Sequence, residues 1–425
     1  MSLNLKYVKD QSKKALIDLS KKLQSGHARR MGGAENHFAM FQRLKLYKSY
    51  YVSATFDRDI IDTQFLFRSL RNVIVKNPFL AVTSVTQEVS YQVKPRPNNF
   101  LKVLDQIKFD DLVWDLRTEL KGLPDNKISE NLNHRELPYE DGNLLWRLVL
   151  IDNNTLAFMT NHIVHDGTTA KNFLHDFTQE FNSKDPVFEP VDIKLKPLFH
   201  YSNDMTPNFI IPKAGEFIID YTPPIWFYPE FLLNFLIVTK FCDQTPRLSK
   251  EVSKFHLFNI SNHQISQIKA RLSQNSNNGS RITLTSYIQN AWLHIGTTFP
   301  LYKNNMKLSN IILPIDIRRY FPPEVPQELY RYGMNIAGLG IHQYPVPNLQ
   351  WKKIRQLDRY LKKDINSKKS VFGTGFMISE KFIKHKHLDI DFPNSSEFNY
   401  RSGTLLTNIG ILGLENFGDG GGIIL

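Results

Sequence analysis

The stretch NHIVHDG, residues 161–167, decides the fold of this 425-residue chain. It follows two apolar runs, residues 144–151 and 155–160, which predict paired strands ending in a short loop. Such a loop can hold a histidine at the floor of a cleft. A neutral imidazole there can take a proton from a hydroxyl, an amine or a thiol. His162 is therefore a candidate general base, and we expect Asp166 to hold the loop by an ion pair.

The H-x-x-x-D spacing alone is weak, because it recurs at His200/Asp204, His385/Asp389 and His387/Asp391. Those three lack the glycine after the aspartate, and none follows a clear apolar run. His162 alone combines strand, loop, Gly167 and a following helix, in which apolar residues at helical spacing indicate a buried face. We expect Gly167 to let the chain turn sharply where a side chain would clash.

The sequence WRLV at 146–149, the histidine motif and GHARRMG at 26–32 together resemble the fungal alcohol O-acetyltransferases. These belong to the coenzyme A-dependent acyltransferase superfamily, with chloramphenicol acetyltransferase and the plant BAHD enzymes. The N-terminal motif is quite specific to the fungal group, whereas the histidine motif identifies the superfamily. The resemblance extends from about residue 20 to about residue 412.

The resemblance implies an α/β fold of two chloramphenicol acetyltransferase-like domains, each a mixed sheet flanked by helices, with the active-site channel between them. Acyl-CoA would enter from one face and the acceptor from the other. His162 would act midway as general base in a direct ternary-complex transfer, through a tetrahedral oxyanion and without a covalent intermediate. Asp166 would turn away from the channel and pair with an arginine, for which Arg29, Arg30, Arg318 and Arg319 stay open. His165 competes as the base, and the resemblance selects His162.

The second half supplies the candidates for coenzyme binding. Thr285 and Ser286 open a predicted helix, where free N–H groups can receive an anion, although an ordinary N-cap is the alternative. The run PIDIRR at 314–319 resembles the family's D-x-R element, so Arg318 is expected in an Asp–Arg pair and secondarily at a coenzyme phosphate. The run YGMN at 332–335 matches a glycine turn near the domain interface and makes Asn335 a further candidate.

Composition indicates a globular chain of two domains, with 41% hydrophobic and 12% aromatic residues. The proline-rich segment 186–224 predicts a crossover between an N-terminal domain, 1–185, and a C-terminal domain, 225–425. A net charge of +12 suits coenzyme A or an anionic membrane surface, with a solvated lysine-rich surface as the alternative. The sequence has no basic run interleaved with aromatic residues, so it does not predict nucleic-acid binding. His27 has no second metal ligand at a suitable spacing, so a metal site is not predicted either.

Apolar patterning also predicts particular elements. Asp62 should cap a helix over 63–76, residues 254–260 should form a strand, and residues 261–272 a helix. Residues 308–315 and 401–411 are further predicted strands. Residues 3–23 predict a helix that either lies in a membrane interface or packs on the domain. Residues 225–238 are too short to span a bilayer; they predict a substrate entrance, an interfacial segment or a buried core helix.

The single cysteine, Cys242, excludes an internal disulfide and favours a reducing compartment. The lysine-rich start lacks an apolar signal region, so we expect an intracellular monomer, cytoplasmic or at the endoplasmic reticulum or a lipid droplet. The chain ends soon after Asn408, which suggests a truncated second domain.

An alcohol acceptor giving an acetate ester is the first choice, and a lipid-like amine such as a sphingoid base is the second. An inactive, membrane-associated binding protein is the alternative from another class. Asn161 stands where a condensation domain usually has a second histidine, which disfavours that activity.

Overall fold

A computed structural model of the chain describes residues 13–43, 45, 47–60, 62–87, 98–139, 142–183, 191–206, 208–236, 244–246, 255–257, 260–276, 281–298, 309–344, 348–378, 400–402 and 404–407. Cys242 and the tail at 417–425 lie outside these ranges, as does the end of the predicted strand 401–411. Residues 13–183 are called the N-terminal half below, and residues 227–407 the C-terminal half.

Helices and strands alternate along the described residues, so the predicted α/β class is confirmed. The helices are α1 (Lys13–Gln24), α2 (Gly33–Arg43), α3 (Thr63–Lys76), α4 (Phe109–Leu112), α5 (Arg117–Leu120), α6 (Asp125–His134), α7 (Gly167–Asn182), α8 (Tyr201–Asp204), α9 (Phe227–Leu236), α10 (Asn262–Gln274), α11 (Leu284–Thr298), α12 (Trp351–Asn366) and α13 (Lys369–Ile378). The strands are β1 (Ala28–Arg30), β2 (Tyr50–Thr55), β3 (Val82–Gln87), β4 (Asn98–Val103), β5 (Gln106–Ile107), β6 (Val113–Asp115), β7 (Trp146–Leu150), β8 (Thr155–Thr160), β9 (Phe199–His200), β10 (Gln244–Pro246), β11 (Ser309–Asp316), β12 (Ile336–Gln343), β13 (Tyr400–Ser402) and β14 (Thr404–Leu405).

A four-stranded sheet in the order β2-β8-β7-β6 positions the histidine loop. Strand β8 is antiparallel to both neighbours, and its last residue, Thr160, lies opposite Tyr50 of β2 and Trp146 of β7. All of β7 and nearly all of β8 are buried, which explains their continuous apolar runs. Residues 161–166 therefore leave the sheet at the end where β2 begins.

Two helices cover this sheet, and a carboxylate begins each of them. Asp62 accepts from the backbone N–H groups of Gln64 and Phe65, which confirms the predicted cap of α3. Asp166 caps α7 by accepting from the backbone N–H of Thr169. The buried face of α7 includes Phe173, Phe177 and Phe181, as its apolar periodicity predicts.

The C-terminal half is built on a three-stranded sheet in the order β12-β11-β14. Strands β11 and β12 are antiparallel over eight residue pairs, and the buried residues of β12 alternate with exposed or half-buried ones. Helix α12 buries Ile354, Leu357 and Leu361. Ser261 and Gln264 form a capping box at the start of α10, where the sequence predicts a helix.

The predicted strand over 254–260 is wrong for the residues described there, because 255–257 and 260 are outside any strand. The apolar positions at its end lead directly into the cap of α10, so they form an approach to a helix. Of the three alternatives for 225–238, the buried core helix does not fit residues 225–234, whose burial the structure describes. Helix α9 buries Phe227, but the side chains of Ile225 and Trp226 just before it are 89% and 54% exposed.

Helix α1 packs on the N-terminal half, which was one of its two predicted placements. Leu19 and Lys22 are buried, and the Lys22 Nζ donates to the backbone oxygen of Val103 at 2.8 Å. Within the described ranges, none of the helices combines the length and the apolar composition needed to cross a bilayer.

Candidate active site

His162 lies in the loop after β8, and a backbone contact sets its protonation. The ring Nδ1 is 3.1 Å from the carbonyl oxygen of His165, and a carbonyl oxygen only accepts, so Nδ1 carries the proton. The neutral imidazole therefore has its lone pair on Nε2, where a general base takes up a proton. Asn161 supports the loop, because its Oδ1 accepts from the backbone N–H of Ile163 at 3.1 Å.

Three aromatic rings surround the His162 imidazole. The Tyr50 ring is nearly parallel to it, with centroids 4.2 Å apart and planes at 19°. The Tyr47 and Phe38 rings lie at 5.2 and 5.4 Å, with planes at 75° and 41°. Burial lowers the pKa of His162 to about 4, against the opposing effects of the His165 carbonyl and the Asp166 charge. His162 is therefore neutral near pH 7.

His165, the competing base, points into the core of the N-terminal half. Its ring is fully buried, with Phe79 and Phe158 at centroid distances of 6.3 and 5.7 Å. The ring Nδ1 lies 2.8 Å from the hydroxyl of Thr160, and burial lowers the pKa of His165 to about 3. At His162 it is the backbone oxygen of His165, and not its ring, that makes the contact.

Asp166 is fully buried and binds the C-terminal half. Its Oδ2 accepts from Arg318 Nη1 and from the backbone N–H of Asn335, each at 2.9 Å. Its Oδ1 accepts from the backbone N–H of Thr169 at 2.8 Å. Burial opposes ionisation, but Arg318 and these hydrogen bonds hold the pKa of Asp166 below its usual value. Among the four arginines that the sequence leaves open, Arg318 is the partner of Asp166.

Arg318 and Asn335, two of the coenzyme candidates, thus lie at the junction of the halves. Arg318 is 9% exposed and also donates to the Tyr330 backbone oxygen at 2.6 Å and to Asp316 at 3.1 Å. The expected Asp–Arg pair of the D-x-R element is therefore present. Contact with a coenzyme stays a prediction for both residues.

One face of α7 makes a row of hydrogen bonds to residues 316–333, here called the α7 seam. The contacts are Thr168 Oγ1 to Asp316 Oδ2 at 2.9 Å, Thr169 Oγ1 to the Gly333 oxygen at 3.0 Å, Asn172 Nδ2 to the Arg331 oxygen at 2.7 Å, and Tyr332 Oη to Asp176 Oδ2 at 2.6 Å. Because α7 begins directly after the histidine loop, the seam couples the position of His162 to the C-terminal half.

The start of α11 holds the other two coenzyme candidates. Ser286 is fully buried and donates to Asp358 Oδ1 at 2.9 Å, while Thr283 donates to the same oxygen through both its backbone N–H and its hydroxyl, at 2.8 Å. An internal carboxylate therefore occupies the place where an external anion was predicted, in keeping with the N-cap alternative. Thr285 is half-buried and stays a candidate.

Gly167 is the first residue of α7 and has ordinary helical backbone. The positive φ near the site belongs to Gly333 instead, at +135°.

In the N-terminal motif, Arg29 binds both carboxylate oxygens of Glu35 at 2.7 and 2.8 Å and the Pro212 backbone oxygen at 2.5 Å. This motif therefore holds α2, which carries Phe38, against the segment around residue 212. Among the described residues, no cluster of His, Cys, Asp or Glu is placed to hold a metal ion.

Sequence reasoning missed the aromatic surroundings of His162. Tyr50 is separated from His162 by more than a hundred residues, and only the antiparallel pairing of β2 with β8 places it beside the loop. The local signal is the aromatic pair Tyr50 and Tyr51 at the start of β2. That signal predicts a strand without saying which strand it pairs with.

Comparison with known proteins shows the family of the chain. The family described as alcohol acetyltransferase matches residues 30–417. Alcohol O-acetyltransferases 1 and 2 of Saccharomyces cerevisiae are 25% and 24% identical to the chain, covering 92% of it and 83% and 84% of their own lengths. N-acetyltransferase SLI1 of the same yeast is 23% identical over 37% of the chain and 32% of its own length.

Solved structures are similar at the level of the fold. The first condensation domain of the CDA synthetase has a TM-score of 0.55 at 11% identity, covering 92% of this chain and 85% of that one. The trichothecene 15-O-acetyltransferase of Fusarium sporotrichioides has a TM-score of 0.54 at 11% identity, covering 89% and 79%. The predicted two-domain, chloramphenicol acetyltransferase-like fold is confirmed.

The family match and the two yeast alcohol O-acetyltransferases together show that the chain is an acyltransferase. The chain belongs to the alcohol acetyltransferase family, whose match covers most of its length.

Proposed function

We propose that the enzyme transfers an acetyl group from acetyl-CoA to an alcohol, with His162 as general base. The observation that carries the proposal is the contact between His162 Nδ1 and the His165 carbonyl, because it leaves Nε2 as the proton acceptor. The family membership supports acyl transfer, and the net charge of +12 suits an anionic coenzyme.

The reaction runs in a ternary complex. Nε2 of His162 takes the hydroxyl proton of the acceptor while the acceptor oxygen attacks the thioester carbonyl. The tetrahedral oxyanion then collapses, the C–S bond breaks, and the coenzyme A thiolate receives the proton from the imidazolium. Atoms and charge balance without a covalent enzyme intermediate. A donor to the oxyanion is worth about 3–4 kcal/mol, and Thr285 at the start of α11 is a candidate for that donor.

Asp166 plays a structural part in this proposal. Its carboxylate is committed to Arg318, Asn335 and Thr169. It therefore holds the loop at the junction of the halves while His162 carries out the proton transfer.

The test is acceptor-dependent thiol release from acetyl-CoA by the purified protein, with a series of medium-chain alcohols. We expect release in the wild type and its loss in His162→Ala. The matched control is His200→Ala, because His200 stands in the same H-x-x-x-D spacing but lies at β9, bonded to Ser202 at 2.9 Å. Undiminished release by a folded His162→Ala variant would contradict the general-base role.

An amine acceptor, such as a sphingoid-like lipid base, is the second candidate. It is supported by the partial similarity to N-acetyltransferase SLI1, and the same imidazole can deprotonate an attacking amine. Lipid amines in the same assay decide between the two, because the product is an amide in one case and an ester in the other.

The proposal also includes the oligomeric state and a membrane contact. The enzyme acts as a monomer that binds peripherally to a membrane or a lipid droplet. The support for this contact is the exposed apolar surface at α9, where Ile225, Trp226, Leu232 and Leu233 are each at least 43% exposed. Vesicle flotation of the wild type against a Trp226→Ser, Leu233→Ser variant tests it. Equal recovery with the vesicles would contradict a role for this surface.

A further inference from the structure

The charge that forms on the base needs a stabilising group, and among the residues that the structure describes no carboxylate is hydrogen-bonded to the His162 ring. Its Nδ1 faces a neutral carbonyl oxygen, and the nearby Asp166 is bound to Arg318. When Nε2 takes up a proton, a half-buried imidazolium results. Burial penalises that cation, as the lowered pKa of His162 shows.

Tyr50 is held at both ends against this imidazole. Its backbone is fixed in β2 opposite Thr160, the last residue of β8. Its hydroxyl donates to the backbone oxygen of Asp166 at 2.6 Å. The pKa of Tyr50 is raised well above its usual value, mainly by burial and then by the Asp166 charge, so the phenol keeps its proton. The parallel ring at 4.2 Å is therefore a fixed part of the site.

We propose that Tyr50 is a positioning residue of the transfer reaction, whose ring holds the imidazole of His162 and whose π face stabilises the imidazolium. The face of an aromatic ring carries negative potential and attracts a cation lying over it. The effect is larger for the imidazolium than for the neutral ring, so it favours the state in which the proton is being transferred. This inference rests on the proposed role of His162 as general base.

The other two rings are less suited to this task. Tyr47 stands at 75° to the imidazole and Phe38 is tilted by 41°, so neither overlaps its face in the parallel way that Tyr50 does. Phe38 and Tyr47 contact each other at 5.5 Å and extend the apolar wall over the site. We assign them to exclusion of water from the thioester.

Among the residues that the structure describes, the titratable groups around His162 come from five parts of the chain. Asp166 and His165 belong to its own loop, and Arg318 reaches the loop from the C-terminal half through Asp166. Tyr50 comes from β2 and Tyr47 from the segment before it. His37 on α2 is buried behind Phe41, at a centroid distance of 4.2 Å, and burial lowers the pKa of His37 to about 4. At neutral pH the two charges in this set, on Asp166 and Arg318, compensate each other.

The experiment compares Tyr50→Phe, which keeps the ring, with Tyr50→Leu, which removes it. The control is Tyr51→Leu, on the opposite face of β2, where Tyr51 packs in a different apolar cluster. For each variant, kcat and the KM for acetyl-CoA are measured against pH. In parallel, 15N NMR follows the titration of the His162 ring, identified by the signal that disappears in His162→Gln.

We expect Tyr50→Leu to lower kcat by about 10-fold with the KM for acetyl-CoA nearly unchanged, the size of a desolvated cation–π contact. We expect its His162 ring to titrate at lower pH than in the wild type. Tyr50→Phe should keep kcat within about 3-fold and the same titration, because it loses only the neutral hydroxyl bond to Asp166 and keeps the ring face over the imidazole. Tyr51→Leu should titrate like the wild type and keep its kcat.

The inference is overturned if the His162 titration is the same in Tyr50→Leu and the wild type, or if kcat does not fall. If Tyr50→Leu fails to fold, phenylalanine and pentafluorophenylalanine at position 50 replace the comparison, since fluorination reverses the ring potential while keeping the shape. Equal kcat for these two would then overturn it. Failure of the proposed function would appear separately, as undiminished thiol release by His162→Ala, and the NMR titration does not depend on that result.

Discussion

The loop between β8 and α7 divides two tasks between a histidine and an aspartate. His162 keeps a free nitrogen because a backbone carbonyl takes its other N–H. Asp166 is four residues away, yet its oxygens are used by Arg318, Asn335 and Thr169. In the proposed mechanism, proton transfer and the joining of the halves therefore depend on different side chains of one loop.

Replacing Asp166 by Asn should cost stability more than it costs chemistry. The change leaves the Arg318 guanidinium buried beside a neutral amide, and breaking one side of a buried pair costs about 3–5 kcal/mol. Urea unfolding measures the fall in the free energy of unfolding. Asp110→Asn, at an exposed position of α4, is the control and should change it by less than about 0.5 kcal/mol. Equal stability of the two variants would contradict the structural role of Asp166.

The stabilisation by Asp166 should also depend on pH in one direction. The folded protein holds the pKa of Asp166 below its usual value, so the contribution is fully present above the unfolded pKa of about 3.9. It is lost as the pH falls through the lower, folded pKa. The difference in unfolding free energy between wild type and Asp166→Asn should therefore shrink below about pH 4. A difference that grows on acidification would have the wrong sign.

What the sequence predicted at this scale was local in the chain. The cap at Asp62 and the helix after Gly167 can each be predicted from neighbours within a few residues. Arg318 was left among four candidates because the pair joins residues 152 positions apart. The contact of Tyr50 with His162 could not be predicted, because the sequence of a strand does not show which other strand it pairs with.

At the scale of elements, the turn at Gly333 controls how α7 meets the C-terminal half. With φ at +135°, Gly333 has a conformation that costs other residues about 1–3 kcal/mol, and a Cβ there would lie 2.9 Å from Asn335 Nδ2. We expect Gly333→Ala to lower both stability and kcat, because Thr169 and Arg318 bind the Gly333 backbone. Gly340→Ala is the control, since a Cβ there meets no atom within 4 Å. Thermal unfolding and thiol release measure both effects.

At the start of α11, substitutions can distinguish a residue that contacts the coenzyme from one that only caps the helix. Ser286 is buried against Asp358, so Ser286→Ala should lower the unfolding free energy by about 1 kcal/mol and leave the KM for acetyl-CoA unchanged. Thr285→Val should raise that KM several-fold if Thr285 contacts the coenzyme, and should instead lower kcat if its hydroxyl donates to the oxyanion. The opposite pattern, with the KM rising only for Ser286→Ala, would restore Ser286 as the coenzyme residue.

At the scale of the whole molecule, the site exists only where the halves meet. The N-terminal motif binds the segment around residue 212 through Arg29, and α7 binds residues 316–333 through the α7 seam. The sequence predicted two similar domains, and the fold comparison confirms this architecture, while the boundaries at 185 and 225 stay predictions. Apolar periodicity predicts the helices and strands of each half. The polar contacts between the halves could not be predicted in this way, because they follow no periodic pattern in the sequence of either half.

The α7 seam should therefore couple the halves energetically, and Asp176 with Arg331 is the pair that tests it. Arg331 Nε donates to Asp176 Oδ2 at 2.9 Å, and the side chains are 24% and 14% exposed. A double-mutant cycle with Asp176→Ala and Arg331→Ala should give a coupling free energy of about 1–3 kcal/mol. The control cycle on Asp115 and Arg117, an ion pair within one half at 50% and 29% exposure, should give less than about 1 kcal/mol. Because the Asp176 pair lies between the halves, its loss should also broaden the unfolding transition, and equal coupling in both cycles would show that the seam contributes no more than a surface ion pair.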